Sequence, residues 1–419
     1  MKTFISSSLK RLSQNMPCPL YLVGGFVRDY ILYGTPSKDA DICAPCCAED
    51  FIKIATKLGF KVVCEFKNTG TVKIKYQNEQ YEFTSFRYEE YAKGGFHKPV
   101  SVVFTKDLKL DAIRRDFKCN AIYYDIKNDK LIDLLGGIND LKRKKLTTVI
   151  SPEKVFSRDG LRLFRLVRFS AKHDLTPTLS VIKTAKKYNE LILDLTPDRI
   201  KEELLKILSE SEKSVHVALC LLEKIGLLVK LFGAFPKNYG FSNKNGWINA
   251  ILSVKAQLKL PLLCLIFSNS KEKAIKNLHL LKFSHKEIEI FGKAFNLFFE
   301  FFFGRLKKAQ VKRLIIDNFS SFNLFYKLAS AVIGQKKNSL LSTKKLAFWK
   351  GIYNEIIDKK TPIVIKDLSL SGKDLINMGV AIKSVKFALL DLLFLCQKSP
   401  KFNTPKALKR ALKKLGYIA

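Results

Sequence analysis

The hydrophobic pattern of this 419-residue chain changes period near residue 145, and that change limits what each part can become. Before it, short runs of β-branched and aromatic residues are separated by turn signals: PLYLVGG, FKVVCEF, TVKIKY, QYEFTSFRY, CNAIYYDI and KLIDLL. One helical pattern, CAEDFIKIATKLG, lies among them. Strands interleaved with a helix predict an α/β or α+β domain. After residue 145 apolar residues return at spacings of three and four, as in SVHVALCLLEKIGLLVKLF, EKAIKNLHLLKF, HKEIEIFGKAFNLFFEFF and KLAFWKGIYNEIIDKK, so helices follow almost throughout. DLTPDRI, GAFPKNYGFSNKNG and DKKTPIV supply the Pro, Gly and Asn that punctuate such a chain, and no repeat of fixed period is present.

Within the first part, YLVGGFVRDYILYGTPSKDADIC (residues 21–43) gathers the residues of a phosphate site. Gly24 and Gly25 end an apolar strand and open a helix, so backbone N–H groups and the positive helix end converge on one place. Arg28, on the first helical turn, can fork onto phosphate oxygens. On a strand, Asp39 and Asp41 project to one face, because side chains alternate. Two carboxylates about 4 Å apart repel by about 4 kcal/mol at an effective dielectric near 20. A divalent cation between them turns that repulsion into attraction, and hard oxygen ligands suit Mg2+ with phosphates completing the shell. Asp39 and Asp41 are therefore the candidate catalytic and metal-binding residues. Gly24, Gly25 and Arg28 are candidate nucleotide-binding residues.

The partner follows from charge. Seventy-four Lys and Arg against 38 Asp and Glu give a formal charge of +36, a field that favours polyanions, nucleic acid before membrane. The excess is lopsided: residues 301–350 hold eleven bases and only Asp317 as an acid, and residues 401–419 hold six bases and no acid. The first residues, MKTFISSSLKRLSQNMPC, lack the apolar core of a signal peptide, and no stretch reaches the roughly 18 apolar residues of a spanning helix. A cytoplasmic protein without a membrane partner is predicted, and no stable protein partner is implied. Cys43, Cys46 and Cys47 cluster near Asp41 with no histidine nearby, which predicts reduced thiols and no zinc site.

In FSRDGLRLFRLVRFSAKHDL (residues 156–175), a helical wheel puts Leu163, Leu166 and Val167 on one side. Arg162, Arg165 and Arg168 spread over about 120° of the other. One face packs and the other is cationic.

Together and in this order, the glycine pair and the D-x-D motif resemble the polymerase-beta nucleotidyltransferase superfamily. The whole chain resembles the class II tRNA nucleotidyltransferases, the CCA-adding enzymes, whose close relatives are bacterial poly(A) polymerases. EFTSFRYEEY (82–91) is similar to the strand and loop after the catalytic pair, and RRDFKCNAIYYD (114–125) to the second motif of the family. The resemblance implies that Arg114, Arg115 and Asp116 hold the triphosphate and ribose. DLLGGINDLKRKKL (133–146) is similar to the hinge between head and neck, and residues 156–175 to the neck helix that reads the incoming base. There the resemblance implies that Asp159 and Arg162 pair with the edge of cytosine or adenine, with Arg165 and Arg168 beside them. The implied fold is α+β, a polymerase-beta-like head with a mixed sheet followed by helical neck, body and tail. The implied boundaries are 1–147 for the head, 148–232 for the neck, 233–360 for a degenerate HD-like body and 361–419 for a basic tail. The implied reaction is addition of CMP, CMP and AMP to the 3′ end of tRNA from CTP and ATP, with two Mg2+ ions at Asp39 and Asp41. A poly(A) polymerase, or a CC-adding or A-adding specialist, remains the alternative.

Three departures from the family pattern stand out. Arg158 occupies the place of a usual Glu, reversing a charge beside the base-reading pair. In the loop YAKGGFHKPVSVVF (91–104), Lys93, Gly94, Gly95 and Phe96 replace an Asp and an Arg, and His97 reads as a loop contact. At the place of the HD pair stand Ser268 and Asn269 in LPLLCLIFSNS, and His279 and His285 fall on what read as different helices. Glu82, on the strand after the D-x-D, is either a third carboxylate of the site or half of a structural ion pair.

Overall fold

The structure, a computed structural model, describes residues 1–90, 100–233, 239–243 and 245–418. The chain falls into two compact units, residues 1–233 and 234–419, whose boundary lies within GAFPKNYGFSNKNG. The loop residues Lys93, Gly94, Gly95, Phe96 and His97 lie outside the described residues.

The first unit is built on a seven-stranded mixed sheet of order β3-β4-β5-β2-β1-β8-β9. Its strands are β1 (Tyr21–Val23), β2 (Ala40–Ala44), β3 (Lys61–Phe66), β4 (Thr71–Tyr76), β5 (Glu79–Ser85), β8 (Tyr123–Asp125) and β9 (Lys130–Ile132). A separate antiparallel ribbon pairs β6 (Arg87–Glu90) with β7 (Ser101–Phe104). Within the seven-stranded sheet only β2 pairs parallel, with β5, and this sets Asp41 beside Glu82; β1 runs antiparallel to β2 and sets Val23 beside Asp41. Strand β1 is covered on both faces and reads as an unbroken apolar run, whereas β4 alternates buried and exposed residues. Phe51, on α3 (Ala48–Lys57), stacks on Phe83 of β5 with ring centroids 3.7 Å apart, joining helix layer to sheet. The mixed sheet and the helices after it are the α+β architecture expected from the change of period.

The helices of this unit are α1 (Ser7–Asn15), α2 (Gly25–Tyr33), α3, α4 (Leu108–Ile113), α5 (Gly137–Lys142), α6 (Pro152–Arg158), α7 (Leu161–His173), α8 (Leu179–Lys187), α9 (Pro197–Leu208), α10 (Glu212–Lys224) and α11 (Leu227–Phe232). Residues 156–175, expected as one neck helix, are broken: α6 ends at Arg158, Asp159 is extended (φ −158, ψ 108), and α7 starts at Leu161. The cause is local. The Asp159 carboxylate accepts the Leu161 N–H at 2.9 Å and offers the backbone an alternative to continuing the helix. Gly160 packs so tightly that a Cβ there would lie 2.5 Å from the Leu191 carbonyl. The expected apolar face is present, with Leu163, Leu166 and Val167 each 0% exposed.

The second unit is helical: α12 (Gly246–Leu252), α13 (Ala256–Ile266), α14 (Lys271–Leu280), α15 (His285–Phe303), α16 (Lys308–Asp317), α17 (Phe322–Ile333), α18 (Leu340–Asp358), α19 (Gly372–Asn377), α20 (Val385–Lys398) and α21 (Pro405–Lys414). From Leu260 to Ile266 helix α13 is apolar on every side, because this stretch is the core and is fully buried from Leu262 to Ile266. A further core joins Leu375, Leu392, Leu408 and Leu412 under α19–α21. The cations of α21 remain exposed. His279 lies on α14 and His285 opens α15. Among the described residues no helix is long and apolar enough to cross a membrane.

Ser268 is a packing residue. Its hydroxyl donates to the Cys264 carbonyl at 2.7 Å and accepts from the Asn277 amide at 2.9 Å, with Ser268 and Asn277 both buried. Ser268→Ala removes one acceptor of a buried amide and should destabilise the protein by about 1–3 kcal/mol. Urea unfolding of the variant against the wild type, followed through the second unit's Trp247 and Trp349, measures that loss.

Candidate active site

The backbone sets the first part of the site. Gly24 sits at φ +74, ψ −133, where L side chains are strained, and a Cβ there would lie 3.3 Å from Asp41 Oδ2. The chain must turn here from β1 into α2 while the Asp41 carboxylate passes close by, and glycine permits both. Gly25 is the first residue of α2 and has ordinary room, its nearest neighbours to a Cβ being Ser37 Oγ at 3.5 Å and Arg28 at 3.6 Å. Gly24→Ala should therefore cost about 1–3 kcal/mol of stability and displace Asp41, whereas Gly25→Ala should fold normally. Thermal unfolding of the two variants, side by side, tests this asymmetry.

Around this turn opens a cleft of about 700 Å³ that brings together all twelve residues singled out in the sequence: Gly24, Gly25, Arg28, Asp39, Asp41, Arg114, Arg115, Asp116, Asp159, Arg162, Arg165 and Arg168. Asp39 lies immediately before β2, and Asp41 lies on it. Solvent reaches the Asp41 carboxyl, yet the protein packed round it, with Glu82 and Asp39 nearby, raises its pKa to about 6 against the pull of Arg115 and Arg165. A carboxyl raised chiefly by burial, with two further carboxylates beside it, is a place where a hard cation restores balance. Among the described residues no three His, Cys, Asp or Glu side chains converge as a closed metal cage. The donor set fits a cation that takes its remaining ligands from phosphate and water. Glu82 faces Asp41 across the ladder and also pairs with Lys73 at 3.2 Å, both half exposed.

The arginines are not free charges on a surface. Asp111, fully buried, takes Arg114 Nε at 2.7 Å and Arg115 Nη2 at 3.0 Å, and accepts the Tyr123 hydroxyl at 2.7 Å. Burial alone would raise its pKa, but the two guanidiniums outweigh burial and hold it well below the usual carboxylate range. Arg28 donates to Asp29 and, from Nη1, to Asn120 Oδ1 at 2.7 Å; Asn120 in turn donates to Asp116 Oδ1 at 3.0 Å. Asp116 Oδ2 accepts Arg165 Nε at 2.7 Å and Nη2 at 2.6 Å. Arg162, expected on a cationic face, is buried, with Nη2 donating to the Arg114 carbonyl at 2.8 Å. Its Nε stands 4.0 Å from Asp159 Oδ2. Arg168 is tied to Glu203 at 2.8 Å and lies over the Phe169 ring. Each guanidinium has five N–H groups, so these ties fix its plane and leave donors for a ligand.

Sequence reasoning missed Asp111, Asn120, Glu89, Ser37 and Arg199. Asp111 and Asn120 hold the arginines, and Glu89, Ser37 and Arg199 line the cleft. A signal existed for Asp111, which stands three and four residues before the Arg pair in a helical segment. Arg158 lines a smaller hollow with Glu89 and Arg114.

Asp116 offers a pH test. Burial raises the pKa of its carboxyl, while Arg165, the Asn120 amide and Arg162 together bring it down to about 2, below the ordinary 3.8. A depressed carboxylate contributes stability that is present above the unfolded value and lost as pH falls through the folded one. Asp116→Asn leaves Arg165 without its counter-charge and should cost about 3–5 kcal/mol near neutrality. The gap in melting temperature from wild type should narrow between about pH 4 and pH 2. Paired melts across that range measure it.

Known proteins can now be set beside this geometry. Residues 20–147 match the family described as the Poly A polymerase head domain. A CCA-adding enzyme of Staphylococcus epidermidis is 29% identical over 381 residues, covering 88% of this chain and 86% of that one. The crystal structure of the Bacillus stearothermophilus CCA-adding enzyme in complex with CTP aligns with a TM-score of 0.65 at 22% identity, covering 98% of this chain and 100% of that one. The Thermotoga maritima CCA-adding enzyme complexed with tRNA aligns at 0.56 and 19%, covering 98% and 97%. At these identities the likeness to the two structures is one of fold.

Proposed function

We propose that this chain, a member of the class II tRNA nucleotidyltransferase and poly(A) polymerase family, adds CMP, CMP and AMP to the 3′ end of tRNA, using CTP and ATP and releasing pyrophosphate. The observation that carries the reading is the convergence in one cleft of the carboxylate pair, the glycine turn and the anchored arginines of both motifs. The head, neck, body and tail boundaries at residues 147, 232 and 360, and a cytoplasmic site of action, belong to the same proposal.

Each group has a part. The 3′ hydroxyl oxygen of the tRNA forms a bond to the α-phosphorus of the nucleotide as the bond to pyrophosphate breaks. Asp39 and Asp41 would hold two Mg2+ ions, which when bound lower the pKa of that hydroxyl and neutralise charge on the departing phosphates. The N–H groups at Gly24–Gly25 and the start of α2 seat the triphosphate, and Arg114 and Arg115, held in plane by Asp111, donate to it. Asp116 holds Arg165 toward the cleft.

Asp159 and Arg162 explain the choice of base. Cytosine presents an amino donor beside a ring-nitrogen acceptor, and so does adenine; uracil and guanine present the reverse order. A carboxylate that accepts beside a guanidinium that donates therefore fits the first two and opposes the others. The two groups are both buried and 4.0 Å apart, so a mismatched base would leave polar groups unpaired.

Asp41→Ala or Asp39→Ala should abolish incorporation of both nucleotides with the fold intact by circular dichroism; wild-type turnover would remove the carboxylates from the mechanism. Asp159→Ala should lower CTP-over-UTP selectivity by about 10- to 100-fold, more than it weakens triphosphate binding. Transcripts ending before, within and after CCA, given CTP and ATP separately and together, distinguish full CCA addition from CC-only, A-only or poly(A) synthesis. The second unit supplies a separate test, since Lys307 and Lys308 are exposed and Lys312 is half-buried on a segment of net positive charge. Their joint replacement by Gln should raise the Michaelis constant for tRNA and leave that for CTP unchanged. Each lost phosphate contact should reduce the salt slope by roughly 0.7–0.9.

A further inference from the structure

The cysteines left aside by the nucleotide site are placed for a chemistry of their own. Strands β1 and β2 pair antiparallel, Tyr21 opposite Cys43, Leu22 opposite Ile42 and Val23 opposite Asp41. Continued three residues beyond the Tyr21–Cys43 end, the same register sets Cys18 opposite Cys46. Both cysteines lie on proline-stiffened backbone, Cys18 between Pro17 and Pro19 and Cys46 directly after Pro45, so neither has much conformational freedom to lose. Both thiols are free and half-buried. Their titrations are linked: Cys46 is the main influence holding the Cys18 thiol below its ordinary pKa, and Cys18 the main one raising that of Cys46.

We propose that Cys18 and Cys46 form a reversible disulfide when the protein meets a peroxide. The neighbouring thiols are less suited. Cys43 stands in C-x-x-C spacing with Cys46 but is fully buried within the sheet, and burial pushes its thiol well up. Cys47 is exposed, but its thiol donates to Asp50 Oδ2 at 3.1 Å and is held protonated by that bond. No three metal-ligating side chains converge among the described residues, so the geometry points to a disulfide and not to a zinc site.

The Cys18 thiolate, the better nucleophile, attacks one peroxide oxygen. An S–O bond forms, the O–O bond breaks and hydroxide leaves, giving a sulfenic acid. The Cys46 sulfur then attacks the Cys18 sulfur; the S–S bond forms and the S–O bond breaks. Water leaves with the Cys46 proton. In balance, two thiols and one hydrogen peroxide give one disulfide and two waters. The bridge closes the β1–β2 ladder at the end away from Val23 and Asp41. The oxidised protein should therefore keep its nucleotide turnover and gain stability, because the loop between residues 18 and 46 is closed in the unfolded chain.

Full-length protein is treated with hydrogen peroxide, capped with iodoacetamide and digested without reduction for mass spectrometry. The expected product is a Cys18–Cys46 cross-link that dithiothreitol reverses, absent from Cys18→Ser and from Cys46→Ser and retained in Cys47→Ser. Oxidation should raise the melting temperature of the wild type by roughly 5–10 °C and of neither single variant. A Cys43–Cys46 or Cys46–Cys47 link, or Cys18 carried to sulfinic acid beside an alkylated Cys46, would overturn the proposal. Because the cross-link is read on the protein itself, it is decided independently of the activity assigned above.

Discussion

The structure depends on a carboxylate taken out of water and neutralised where it stands. Asp116 is 5% exposed: Asn120 and the Phe117 N–H hold one oxygen, and Arg165 holds the other with two N–H groups. Burial of an ionised acid is costly unless it is paired and hydrogen-bonded, and this one is both. The consequence is mechanical as well as electrostatic. Helix α7 is joined to the segment after α4 by a bidentate bond, and through Asn120 to Arg28 on α2. Three chain segments distant in sequence thus line the same cleft in fixed relation.

Asp111 does a parallel service for the two arginines that follow it. A guanidinium held along one edge keeps donors on the others, and it loses less freedom when a phosphate arrives than a loose side chain would. The cost of orienting the cleft is met in folding, before substrate binds. Cations outnumber acids around the cleft, so pairing of this kind organises the charge without cancelling its attraction for a polyphosphate.

The helical unit answers to different physics. Its interior is aliphatic and aromatic, with α13 buried on every side from Leu260 to Ile266, and the polar pair Ser268–Asn277 satisfies itself within that core. The basic side chains stand outside, where solvent and polyanion compete for them on terms set by salt.

Much of this was legible from local pattern. Period-two and period-three-to-four repeats record which side of each element is dry, so the strands of the head, the helices beyond residue 145 and the packed face of Leu163, Leu166 and Val167 could be read directly. Gly24 at the end of β1 was legible for the same reason, whereas Asp39, expected on a strand with Asp41, stands just before β2. What periodicity does not record is the partner of a charge. Arg162 was read on the cationic face of its helix and is buried; residues 156–175 looked like one helix and are broken at Asp159, whose side chain takes the N–H of Leu161. Asp116 and Arg165 lie 49 positions apart, and Arg28 and Asn120 lie 92. Sequence by itself determined which elements form and which residue types crowd together in the motifs. Only the tertiary structure decided which donor meets which acceptor, because those distances are set by packing between elements and not by spacing along any one of them.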